Sequence, residues 1–169
     1  MKSKRAYYIF CFLFAIFISQ THAFGEVSKK TPDDVYVLTE EVVVNFEALR
    51  KKMEISTPVK QPEYEKVTTA DATIMQTYKI LEQLGLLQKR EGLSAPVPIP
   101  NKPAGKITPK EVYHVVEIII SEYKVLASEL NMPDYVTNNT SVKGKTPSDV
   151  YQRLLYAERL LISINESYK

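Results

Sequence analysis

Cysteine, histidine, glycine and tryptophan are scarce in this sequence, and each shortage removes a class of protein. The one cysteine is Cys11, the two histidines are His22 and His114, and tryptophan is absent. No intrachain disulfide can form, and there is no Cys/His zinc set, no thiol nucleophile in the body of the chain and no c-type haem attachment sequence. Five glycines are too few for the tight hairpin turns of a β-sandwich or barrel, so an all-β fold is excluded. They also supply no glycine-rich phosphate loop and no nucleophile elbow around a serine. Nor does any apolar run reach the roughly 20 residues that cross a bilayer as a helix.

The N-terminus carries an address. Lys2, Lys4 and Arg5 precede an apolar run from Ile9 to Ile18, and Thr21-His22-Ala23 offers small residues three before and one before a cut. This order is that of a signal peptide, with cleavage expected after Ala23 and a mature chain over 24–169. Cys11 sits within the apolar run, which is not where a lipid-modified cysteine would end the signal. The formal charge of +2 comes from the three leader bases, and the rest of the chain is close to −1. A near-neutral exported chain has no electrostatic reason to bind nucleic acid. The expected location is periplasmic or secreted, with the membrane touched only through the signal. Sequons stand at Asn138, Asn139 and Asn165 and carry weight only in a eukaryotic source.

A repeat organises the remainder. Thr31-Pro-Asp-Asp-Val-Tyr36, Thr108-Pro-Lys-Glu-Val-Tyr113 and Thr146-Pro-Ser-Asp-Val-Tyr151 share one pattern, and Thr68-Thr-Ala-Asp-Ala-Thr73 is a degenerate copy. Each clear copy has Thr as a helix N-cap, Pro at N1 and Asp or Glu at N3, the parts of a capping box. Steps of four and three from the Val give Val35, Thr39, Val42, Phe46, Leu49 and Met53 in the first copy. They give Val112, Val116, Ile119, Tyr123, Leu126 and Leu130 in the third. The fourth yields Val150, Leu154, Ala157, Leu161, Ile164 and Tyr168. This is one amphipathic stripe in a common register. The second copy, counted from its first Thr, breaks that register.

All ten prolines fall at N1 or between the stripes. The chain is therefore expected to be all-α, with helices over about 32–53, 69–91, 109–130 and 147–168 and a Pro-rich connector over 94–107. Two gaps, Gln61-Pro-Glu-Tyr64 and Met132-Pro-Asp-Tyr135, resemble each other. They suggest a duplicated helical hairpin with a period of about 77 and a half-period of about 38. A four-helix bundle made of two tandem hairpins buries the four stripes most simply, with a dimer of swapped hairpins as its rival.

Chemistry points away from catalysis. Glu111-Val-Tyr-His114 has the spacing of a di-iron or di-manganese ligand pair but no second copy. His114 also falls about 200° around the helix from Val112, on the outer side. No metal, cofactor or catalytic residue is therefore expected. Tyr36 and Tyr113 recur at the edge of the stripe near the helix starts and are candidates for a small pocket if the first and third helices run parallel. Val37, Val44 and Ala48 form a second apolar strip on the first helix, near 180–220° from Val35, where the fourth helix has Gln152, Arg159 and Ser163. Such a strip calls for cover, by the chain itself, a protein partner or a second copy. The expectation is an exported, non-catalytic interaction or accessory bundle, with a small-molecule-binding bundle as the alternative.

Overall fold

The computed structural model describes residues 29–67, 69–133 and 142–168. The expected signal segment and the sequons at Asn138 and Asn139 lie outside them. Four helices of equal length follow one another: α1 (Pro32–Lys52), α2 (Ala70–Arg90), α3 (Pro109–Glu129) and α4 (Pro147–Ser167). The all-α class and the four-helix bundle are as expected, and the helix bounds agree to within a residue.

Each start is built by its own sequence. Thr31, Thr108 and Thr146 close capping boxes with Asp34, Glu111 and Asp149, and Pro occupies the first turn of all three helices. The ends are equally regular. Glu54, Gly92 and Asn131 adopt positive φ just beyond α1, α2 and α3. Behind them Ile55, Leu93 and Met132 donate their amides to the carbonyls of Arg50, Gln88 and Ala127. These are Schellman motifs, and each following apolar side chain packs back onto the core.

The degenerate second copy proves to be in register. Its N-cap is Thr69 rather than Thr68, and steps of four and three from Thr73 give Thr77, Ile80, Leu84 and Leu87. These four and Thr73 are all buried, as are the first five stripe residues of each other helix. Thr69 makes no side-chain capping bond, so two adjacent threonines left the start ambiguous by one residue.

The bundle is not made of hairpins. Among the described residues α1 packs on α3 and α4, and α2 packs on α3 and α4, whereas α1 and α2 lie diagonally opposite each other, as do α3 and α4. The first-turn residues Pro32, Ala70, Pro109 and Pro147 and the stripe residues Val35, Thr73, Val112 and Val150 together line one cleft. All four helices therefore start at the same end and run parallel. Contacts farther along keep the same level: Phe46 and Tyr123 meet with ring centroids 6.0 Å apart. At the far end the Tyr168 hydroxyl donates to Glu91 and lies 3.8 Å from the Met53 sulfur. Equivalent stripe residues thus form layers of four, with the spacing of a coiled-coil seam.

Polar pairs flank these layers. Arg153 Nη2 donates to Glu40 Oε2 at 2.6 Å between α4 and α1, and Gln76 Nε2 donates to Glu158 Oε2 at 2.6 Å between α2 and α4. Gln88 Nε2 reaches the carbonyl of Glu122 at 2.9 Å between α2 and α3.

Parallel helices oblige every connector to return along the bundle. Among the described residues 53–67 and 91–108 do so, and about 17 extended residues reach roughly 55 Å against a helix length of about 31 Å. The first connector lies over α4. Gln152 donates to the Glu65 carbonyl at 3.2 Å, Arg159 to that of Lys60 at 3.1 Å, and Ser148 Oγ to that of Val67 at 3.1 Å. The polar outer positions of α4 are thus attachment points for backbone rather than a bare solvated face. The second connector lies along α2, with Val97 against Gly85, a Lys102–Asp71 ion pair at 3.0 Å and Tyr78 OH 3.5 Å from the Asn101 carbonyl.

Two measurements check this architecture. Spin labels on Lys51→Cys and Lys89→Cys in the segment 24–169, which contains no cysteine, should lie well within the helix length of about 31 Å. A separation near that length would restore the hairpin arrangement. Leu126→Ala and Leu161→Ala remove fully buried side chains, and each should cost about 2–5 kcal/mol in urea unfolding.

Candidate functional site

The end where the helices start carries the recurring tyrosines. Lys30 stacks over the Tyr113 ring at 3.9 Å, and Lys145 over the Tyr36 ring at 4.1 Å. In each case a lysine just before one helix clasps the tyrosine of a neighbouring helix, a cation–π contact repeated around the bundle. Tyr36 faces α4: burial and the adjacent Glu40 carboxylate push its phenol up to about 12. Tyr113 faces α1 through Lys30. The parallel arrangement puts both tyrosines at one end, but neither lines the cleft between the helix starts. That cleft is apolar, with a volume of about 20 Å³, space for roughly one water.

Four helix starts side by side gather positive partial charge. Carboxylates offset it. The backbone and hydroxyl of Thr31 hold the Asp34 carboxyl below its ordinary value, and Thr108 and Thr146 do the same for Glu111 and Asp149. Asp33 Oδ1 also accepts from the Lys145 amide at 2.6 Å.

The outer strip of α1 is accessible in part. Val44 is 36% exposed, and Val37 and Ala48 are half-buried. None of the three belongs to the core or to the residues packed on it. Residues 134–141, in the connector that ends beside α1 at Lys145, lie outside the described residues. His114 is on the surface of α3, with a side chain 72% exposed and Nδ1 3.7 Å from Glu117. Among the described residues no group of three or more His, Cys, Asp or Glu side chains could hold a metal.

Sequence reasoning missed a larger feature. A groove of about 630 Å³ runs between α2 and the second connector, with Leu81, Leu86, Leu93, Val97 and Ile99 among its walls. Leu86 and Ile99 are 50% and 47% exposed. With the second helix counted from Thr69, Met75 and Leu86 fall at about 200° and 220° from the stripe, on its outer side, so the correct cap would have revealed them. No family model matches the chain, and no curated protein or solved structure is significantly similar to it.

The depressed carboxylates predict acid sensitivity. A group whose folded pKa is lowered stabilises fully above its unfolded value, near 4, and loses that contribution as pH falls through the folded value. Asp34→Ala/Asp149→Ala should be less stable than wild type at pH 7, by under about 1 kcal/mol per exposed site. The two urea midpoints should converge towards pH 2.

Proposed function

We propose that this protein is an exported, non-catalytic bundle that acts by binding other protein surface. One observation carries the reading: α1 presents Val37, Val44 and Ala48 outward, outside the core cluster, on a helix whose inner stripe is already fully buried. Among the described residues the strip is not packed on the core, and an apolar strip left partly accessible is the kind of surface that marks a contact site. The occupant is a protein partner or a second copy of the chain. Support for export comes from the basic start, the ten-residue apolar run and Thr21-His-Ala23. No helix among the described residues is long and apolar enough to cross a membrane.

The small-molecule reading loses its proposed location, because the cleft at the tyrosine end has room for roughly one water. Ligand pockets ordinarily enclose several hundred Å³.

Val37→Lys/Val44→Lys tests the reading. The variant should keep the helical circular dichroism of wild type, since neither residue is in the core. It should also lose the larger species that wild type forms in sedimentation velocity, alone or with its envelope fraction. Unfolding of the variant would assign the strip to the core, and wild-type sedimentation by the variant would remove the strip as a contact site.

A further inference from the structure

The first connector is a strap whose backbone is fastened to α4. The carbonyls of Lys60, Glu65 and Val67 accept from Arg159, Gln152 and Ser148. Between the first two attachments Tyr64 stands out from the surface, 66% exposed, and it belongs neither to the core nor to the apolar residues packed on it. A large ring carried on a pinned backbone loses little freedom when another surface buries it, and tyrosines so placed are anchors that fill pockets at protein contacts. The molecule also holds a matching recess, the groove of about 630 Å³ between α2 and the second connector, where Leu86 and Ile99 are 50% and 47% exposed.

Tyr64 cannot reach the groove of its own chain. Glu65 is fastened beside Gln152 near the start of α4, whereas Leu86 lies near the end of α2. Counted from the caps Thr146 and Thr69, the two levels differ by roughly 16 Å along parallel helices, farther than a tyrosine side chain extends.

Charge and spacing fit the two surfaces together. Glu82 and Lys89 stand on either side of Leu86 in the groove wall, about 10 Å apart along the helix. In the strap the burial of Val59 and Pro62 sets a period of three, which places Glu63 and Lys66 on one outward edge, about 9 Å apart, with Tyr64 on the next. Among the described residues none of these four charges is in an ion pair. Laid against each other, Glu63 meets Lys89 and Lys66 meets Glu82. The ring then falls over Leu86, since Tyr64 lies nearer Glu63 than Lys66 and Leu86 nearer Lys89 than Glu82.

We propose that Tyr64 of one copy of this chain inserts into the groove beside α2 of a second copy, with Glu63 and Lys66 paired to Lys89 and Glu82 there. Ring and groove are different surfaces of one molecule, so the contact is head to tail, and each added copy leaves a free ring and a free groove for the next. One tyrosine and two ion pairs fall short of the roughly 1,200 Å² that a stable interface buries. The association is therefore reversible and grows with concentration. It uses none of Val37, Val44 and Ala48 and so goes beyond the contact site on α1.

The test uses the segment 24–169 in sedimentation velocity at concentrations up to about 1 mM, where weak contacts are populated. The average size of wild type should rise across the upper part of that range. Tyr64→Ser, which keeps the groove, and Leu86→Lys/Ile99→Lys, which keeps the ring, should each lose the rise with unchanged thermal unfolding. Mixed in equal amounts, the two variants should regain a complex of one of each and nothing larger, because the pair retains one ring and one groove. Lys89→Glu should weaken the wild-type association at least threefold, and Glu63→Lys added to it should restore the loss. At micromolar protein this contact is unpopulated and the α1 strip is read alone, while Val37→Lys/Val44→Lys should leave the rise near 1 mM in place. Failure of the strip and failure of the ring are thus separate results. A wild type without the rise, a Tyr64→Ser variant that keeps it, or a mixture that forms no paired complex would overturn the proposal.

Discussion

Four helices that all start at one end cannot be joined by short turns, and most of this molecule is arranged around that constraint. Each helix must be followed by a strand of chain that travels its whole length backwards before the next can start. The repeat is therefore a helix plus a returning strap. Schellman motifs at Glu54, Gly92 and Asn131 reverse the chain at the far end, and threonine caps with proline at N1 restart it at the near end. Parallel alignment also sets like ends of helix dipoles beside each other. Asp34, Asp71, Glu111 and Asp149 stand where the helices start, and Arg50, Lys51, Lys52, Lys89 and Arg90 where α1 and α2 end, so side-chain charge opposes the accumulated partial charge.

Packing follows from the same alignment. Because helices of one register run in one direction, equivalent residues meet at one level, and the interior becomes a stack of layers. Thr39 and Thr77 occupy the same layer on the diagonal helices α1 and α2, and their hydroxyls are satisfied within their own helices by the carbonyls of Val35 and Ile74. This layer costs little because both hydroxyls keep a partner. The flanking pairs, Arg153 with Glu40 and Gln76 with Glu158, then match each helix to its neighbours.

The straps decide which surface of the helices stays open. At the helix starts the cleft has room for roughly one water, and the partly accessible apolar surface lies on the outer faces. The first strap fastens to Gln152 and Arg159 and covers α4 with polar residues. The second covers part of α2 and offers proline and isoleucine in their place. On α1 an apolar strip remains partly accessible. The two apolar faces belong to helices that lie diagonally opposite each other.

Helix number, helix bounds and the buried stripe were legible in the sequence because their causes are local: a cap needs Thr, Pro and an acid within four residues, and a stripe needs only spacing. The outward position of Val37, Val44 and Ala48 followed from the same periodicity. Helix direction did not follow, since a stripe of four and three steps is equally well buried by parallel and antiparallel neighbours, and connectors of about 17 residues are long enough for either. The second helix was misplaced by one residue because Thr68 and Thr69 are equivalent as caps until packing shows that Thr73, not Ala72, stands level with Val35, Val112 and Val150. The groove beside α2 was invisible for a related reason: Leu86 and Ile99 are far apart in sequence until a strap lies back along the helix. Sequence by itself determined four amphipathic helices, three of them with capping boxes, separated by proline-bearing segments. Tertiary structure alone decided that they run one way, because direction is settled by which side chains meet across helices and by where each connector finds its hydrogen-bond partners.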